Sequence, residues 1–193
     1  MKIEFIIPTY NRPKELRTCL SSLFAQNNPN FTVHVVADAP YQGFKEVMDV
    51  FRHEPNLKVS VLNGPHKDWG HTARNYGLDK AEEEWIVMSG DDNYYTPVFV
   101  DNFLRATQMD RNVGFVYCDM VHNWVNEEYL HLESKPMTGK IDIGNFMVKR
   151  NLIGSIRLDP RHATSDGKFV ESYLDENQTI KRIKIKKILY VHN

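Results

Sequence analysis

Apolar residues along this chain follow two rhythms that take turns. Lys2 to Ile7 sets Ile3, Phe5 and Ile7 against Glu4 and Ile6 and halts at Pro8, which predicts a strand covered on both faces. Thr32 to Ala37, Leu57 to Leu62, Trp85 to Met88 and Val113 to Tyr117 are further short apolar runs closed by polar or turn residues. Between them the period lengthens. Leu16, Cys19, Leu20, Leu23 and Phe24 share one helical face, with Pro13 in the first turn and Asn11 or Arg12 as cap. Phe44, Val47, Met48 and Phe51 mark a second helix, Thr72 caps a third that runs through Ala81, and Thr96-Pro97 opens a fourth that reaches about Gln108. Strand and helix alternating over short connections predict an α/β chain with a mostly parallel, doubly wound sheet.

Past Asp119 the alternation loosens. Val121 to Leu132 predicts a strand pair, Asn145 to Arg150 a short strand, and Thr164 to Gly167 the approach to a helix carrying Phe169, Val170, Tyr173 and Leu174. Ile180 to His192 alternates Ile183 and Ile185 with lysines and predicts a half-buried strand. Those lysines read as its solvated face, with attraction to an anionic membrane surface as the sharper alternative. No repeat or linker divides the chain, so a single domain over 1–193 is expected, with a regular first half and a site-building second half.

Composition narrows the function classes. Of 193 residues 41% are hydrophobic and 25% charged, the balance of an ordinary globular chain, and the net charge of −1 supplies no field to gather nucleic acid or membrane. Cys19 and Cys118 lie far apart, and Cys19 falls on an apolar helical face. Buried reduced thiols and a cytoplasmic setting are therefore expected. No apolar run approaches the roughly 20 residues of a transmembrane helix. Phosphate-binding P-loop, Gly-x-Gly-x-x-Gly, zinc-finger and Gly-x-Ser-x-Gly patterns are all missing.

Three groups could carry chemistry. Asp91-Asp92 follows the strand that ends at Met88, where α/β sheets bind ligands, and paired carboxylate oxygens suit a divalent cation such as Mg²⁺ or Mn²⁺. The same pair also reads as a turn ahead of the next helix. Asp38 ends the second strand, as a ligand contact or as a turn residue before Ala39-Pro40. Arg74-Asn75, near a helix amino terminus, could meet an anion or could be solvated.

Taken in order, Ile-Ile-Pro-Thr-Tyr-Asn-Arg-Pro at 6 to 13, Asp38, Ala-Arg-Asn-x-Gly-Leu at 73 to 78 and Ser-Gly-Asp-Asp followed by Tyr-x-Pro resemble the GT-A fold glycosyltransferases of the large inverting family two. The resemblance covers the first 120 residues in motif order and the remainder more loosely. It implies a Rossmann-like sheet flanked by helices and completed by a short strand and helix half. It also implies a nucleotide-sugar donor, usually UDP-linked, held by Pro8, Thr9, Tyr10, Arg12 and Asp38, with Arg74 and Asn75 bordering the pocket. The family's Asp-x-Asp signature maps onto Ser89-Gly90-Asp91, so Ser89 replaces the acid that meets ribose. Metal binding stays with Asp91 and Asp92, and a late histidine such as His192 completes the metal shell in some relatives.

By the same resemblance the general base is Asp166 in Thr164-Ser-Asp-Gly167, with Glu171 in reserve and a helix cap as the plain alternative for Asp166. His66 and His71 would line the donor loop, and Trp69 would pack on a sugar or anchor that loop. Met147 to Arg150 either shapes the acceptor side or is an edge strand. The expected acceptor is a glycan, lipid-linked or small molecule. The competing expectation is a degenerate GT-A domain that binds a sugar nucleotide or a partner without catalysis.

Overall fold

A computed structural model describes residues 1–125 and 128–193, with side chains described outside 124–127. In chain order the elements are β1 (Ile3–Thr9), α1 (Pro13–Phe24), β2 (Phe31–Ala37), α2 (Phe44–Val50), β3 (Leu57–Val61), α3 (His71–Asp79), β4 (Trp85–Met88), β5 (Tyr94–Tyr95), α4 (Phe99–Thr107), β6 (Val113–Val125), β7 (Glu128–Leu132), β8 (Phe146–Lys149), α5 (Ser165–Glu176) and β9 (Lys181–His192). The strands make one sheet ordered β3-β2-β1-β4-β8-β6-β9-β5, with β7 hydrogen-bonded to β6. Pairing is parallel through β3-β2-β1-β4 and between β6 and β9, and antiparallel elsewhere.

Every residue of β1 is buried because the strand is central and carries helices on both faces. Ile3, Phe5 and Ile7 face one core, shared with α1, α2 and α4, while Ile6 faces the other, shared with α3 and α5. Period-two side-chain alternation on one strand thus feeds two helical layers. Helix α3 lies close on β1 because Gly77 has no side chain: a Cβ there would come within 2.4 Å of Ile6 Cγ2. Cys19 and Cys118 are both buried and free, as their positions predict.

Several expectations change. Strand β1 continues through Pro8 to Thr9 instead of stopping at Ile7. The N-cap residue of α1 is Arg12, but its side chain makes no capping bond. The predicted Thr72 cap is supplied by Asp68, whose carboxylate accepts from Gly70 N (3.2 Å), Thr72 N (2.8 Å) and Thr72 Oγ1 (2.5 Å), so the helix starts at His71. Helix α4 begins at Phe99, later than Thr96-Pro97, because Tyr94–Tyr95 first pairs with β9 and buries the Tyr95 ring against Phe5, Phe99 and Tyr190.

The strand expected at Val113 to Tyr117 runs on to Val125, zipped along β9 from Val113 to His122. The anticipated pair over Val121 to Leu132 is the far end of β6 with β7, and residues 126–127 between them lie outside the described residues. Strand β8 is no edge. It sits between β4 and β6, since Met147 is apolar toward one core and Phe146 and Val148 toward the other. Among the described residues no helix is long and apolar enough to cross a membrane.

Candidate active site

A cavity of about 410 Å³ opens beyond the carboxyl ends of β1, β2 and β4, with Pro8, Thr9, Tyr10, Arg12, Asp38 and Asp91 in its wall. Thr9 is buried and its hydroxyl meets the Tyr41 hydroxyl at 2.9 Å, while the Tyr10 ring stays 42% exposed, edge-on to Tyr41. Asp38 directly follows β2, with its backbone N–H bonded to Thr9 O. Its carboxylate is already engaged by His66, through the backbone N–H to Oδ2 (2.7 Å) and through ring Nδ1 at Oδ1 (2.5 Å). His66 therefore acts through Asp38, and is not itself among the residues lining the cavity.

Arg74 and Asn75 separate. Arg74 reaches the cavity floor buried, with Nε donating to Ser89 O (2.8 Å) and Nη1 to Trp69 O (2.7 Å), and burial lowers its pKa. Asn75 does not border the cavity, contrary to expectation, because its amide clamps the Leu158 backbone as donor (2.8 Å) and acceptor (2.9 Å). Trp69 lines the cavity at 60% exposure with a left-handed backbone (φ 58°), and Lys67 beside it has φ 57°. L-residues in that region carry strain that the surrounding structure must hold, a pattern concentrated at ligand-binding loops.

Asp91 and Asp92 occupy the turn after β4. A Cβ at Gly90 would come within 2.6 Å of Asp92 Oδ1, so a side chain there would push the Asp92 carboxylate aside. Asp91 is 5% exposed and its Oδ2 is buried without a hydrogen-bond partner. Burial, reinforced by Asp92, pushes its carboxyl up to about 6 against the opposing pull of the nearby Thr9 hydroxyl first, and then of Arg12 and Arg74. The Arg12 guanidinium bridges the pair, with Nη1 3.5 Å from Asp91 Oδ1 and in close contact with Asp92 Oδ2. Ser89 is fully buried with its hydroxyl turned to Gly90 O (3.2 Å), away from the cavity.

The rest of the wall comes from late in the chain: Asp142 ahead of β8, Asp166 in the first turn of α5, and His192 at the end of β9. Asp142 is 6% exposed and accepts from the Tyr190 hydroxyl (2.5 Å) and Gly144 N (2.9 Å), with His192 Nδ1 3.2 Å from Oδ2. Burial opposes its charge, but His192 and Tyr190 outweigh that and hold its pKa down. Asp166 turns one oxygen to Gly167 N (2.7 Å) and lies in the cavity wall. Burial and then the Asp142 charge push it up to about 6. Glu171, the reserve candidate, is outside the cavity and accepts from Thr138 N (2.8 Å). Met147 to Arg150 is likewise absent from the wall.

Asp142 was not singled out from the sequence. Its signal was an acid between two isoleucines just before Gly144 and an apolar strand, a place where a carboxylate must be buried with partners. Among the described residues no three His, Cys, Asp or Glu side chains form a ready metal cage. A buried, orphaned oxygen on Asp91 beside Asp92 nevertheless fits a hard divalent ion, which can be held by one or two carboxylates with phosphates and water in its other positions. His192 also lines this cavity and turns Nδ1 to Asp142, the carboxylate partner a metal-bound imidazole usually keeps on its other nitrogen.

The same architecture recurs in solved structures. Staphylococcus aureus TarS 1-349 in complex with UDP-GlcNAc superposes over 100% of this chain and 59% of its own, with a TM-score of 0.78 at 23% identity. The mannosyltransferase PcManGT from Pyrobaculum calidifontis, in complex with GDP-Man and Mn²⁺, matches 98% of this chain and 56% of its own, with a TM-score of 0.75 at 16% identity. The fold is thus GT-A. In sequence, 100 residues are 36% identical to the S. aureus poly(ribitol-phosphate) beta-N-acetylglucosaminyltransferase TarS, covering 49% of this chain and 17% of that one. The chain spans less than half the length of the curated relatives it matches. Residues 4–164 match the model of glycosyl transferase family 2, and the chain belongs to that family.

Proposed function

We propose that the chain is a metal-dependent inverting glycosyltransferase that moves a hexose from a nucleotide-diphosphate donor, a UDP-sugar, to an acceptor hydroxyl. The observation that carries this reading is that two acid groups from far apart in the chain line one cavity. Asp91 and Asp166 each lie beside a second carboxylate and are each pushed up to about 6, but Asp91-Asp92 is bridged by the Arg12 guanidinium and keeps an orphaned oxygen, whereas Asp166 has no guanidinium on it among the described residues. The TarS structure with UDP-GlcNAc and the mannosyltransferase with GDP-Man and Mn²⁺ support the donor class.

In this reading Pro8, Thr9, Tyr10 and Arg12 cradle the nucleotide, and Asp38, fixed by His66, accepts from the base. Asp91 with Asp92 would hold Mn²⁺ or Mg²⁺, which when bound supplies positive charge against the departing diphosphate. Arg74, a buried cation on the cavity floor, orients anionic oxygens of the donor. Asp166 removes the acceptor hydroxyl proton as that oxygen attacks the anomeric carbon opposite the diphosphate. A pKa near 6 leaves it ionised at neutral pH yet more basic than an ordinary aspartate. Residues 1–120 form the donor half and 121–193 the acceptor half, with a glycan, lipid-linked or small-molecule acceptor. Buried reduced thiols accord with a cytoplasmic setting.

The rival is a sugar-nucleotide binder without catalysis, favoured by Ser89 in place of an acid and by Arg12 seated on the carboxylate pair. Incubation with a panel of nucleotide sugars and Mn²⁺ separates the two. Slow release of nucleoside diphosphate from one donor is expected, and stoichiometric binding with no release from any donor would establish the binder.

A further inference from the structure

Arg12 and a divalent ion compete for the same oxygens. The guanidinium reaches Asp91 Oδ1 and Asp92 Oδ2 across 79 and 80 positions of sequence, and among the described residues these carboxylates are its hydrogen-bond partners. It makes no capping bond at α1, and its side chain is 52% exposed, so little besides the two acids holds it in place. Two cations cannot share that space without repulsion in a half-buried setting. A diphosphate would offer a guanidinium planar, bidentate anionic partners, and Arg12 already lines the cavity that would receive it.

We propose that Arg12 is a built-in counter-ion of the Asp91-Asp92 pair, holding metal off the nucleotide-free protein and moving to the donor diphosphate when nucleotide binds. The inference rests on the metal reading above and adds a coupling to it. Because coupling between two ligands is reciprocal, metal strengthens nucleotide binding by the factor with which nucleotide strengthens metal binding. Arg12 supplies part of that factor by paying the two carboxylates' charge in the empty site.

The test titrates Mn²⁺ into the full chain with and without UDP, following the electron paramagnetic resonance signal of free aqueous Mn²⁺. Without UDP, Arg12→Gln is expected to bind Mn²⁺ roughly three- to tenfold more tightly than wild type, the range of a partly exposed ion pair removed from two acids. Arg12→Lys, which keeps the charge, stays near wild type, and the gain from UDP shrinks in Arg12→Gln. Wild-type binding too weak to measure beside measurable Arg12→Gln binding has the same meaning. Equal or weaker Mn²⁺ binding by nucleotide-free Arg12→Gln overturns the counter-ion role. Asp91→Asn reports on the underlying metal reading: it should lose Mn²⁺, and unchanged binding would remove the metal site itself.

Discussion

The two walls of the cavity each carry an aspartate pushed up to about 6 but give their acids different partners. On the wall built by the loops after β1, β2 and β4, each acid has a basic partner: Arg12 for Asp91 and Asp92, and His66 for Asp38. On the wall built by the approach to β8, α5 and β9, Asp142 and Asp166 are near enough for the charge of the first to raise the pKa of the second. Asp142 keeps its own charge through Tyr190, Gly144 and His192. Asp91 is pushed up to about 6 as Asp166 is, but the guanidinium seated on it and Asp92 fixes the geometry of the pair, which suits holding a ligand. Crowded acid suits taking a proton, because its neighbour makes protonation easier.

The largest expected effect breaks the crowded wall. Asp166→Asn should lower transfer by about 10²- to 10⁴-fold with donor affinity unchanged, measured as single-turnover rate beside calorimetric donor binding. Retained turnover would move the base elsewhere. In the wild-type protein at saturating metal and donor, Asp166 is protonated and idle below about pH 6 and ionised above it, so the rate should climb through that pH. Asp142→Asn removes the neighbouring charge and should shift the climb to lower pH; an unmoved profile would detach Asp142 from the base.

Next in size is the paired wall. Asp91→Ala should weaken Mn²⁺-dependent nucleotide binding by at least about 100-fold, since even groups one shell further from a metal are worth about 10- to 100-fold. Calorimetry with and without Mn²⁺ reads this directly. Tyr190→Phe tests how the crowded wall is held: it strips a buried donor from Asp142 and should cost about 1–3 kcal/mol in urea unfolding. The smallest effect falls outside the cavity, where α3 holds the loop at Leu158. Asn75→Ala should cost about 1–2 kcal/mol by freeing the Leu158 backbone and leave nucleotide affinity as it was. A large loss of nucleotide affinity there would return Asn75 to the pocket.

The paired wall was legible because its groups sit at strand ends. Pro8 to Arg12, Asp38 and Asp91-Asp92 each follow an apolar run whose length gives away the strand, and α/β sheets gather such ends at one edge. What the runs could not convey is which partner each side chain finds. His66 on Asp38 joins residues 28 apart, and Arg12 on Asp92 joins residues 80 apart. Asn75 shows the converse. Adjacent to Arg74 in a helix, it points about 100° around the axis from it and so reaches a loop rather than the cavity.

Sequence alone determined the order and kind of most elements, the two-layer helical cover and the acids beyond β4, because periodicity and turn chemistry are local properties of the chain. Tertiary structure alone decided that β8 slips antiparallel between β4 and β6, that β9 runs the length of β6, and that Asp142 therefore meets Tyr190 and His192 beside Asp166. Strand order is set by which apolar faces can be covered together, and that depends on every other element at once. A carboxylate's pKa depends in turn on the charges and water that this packing leaves around it.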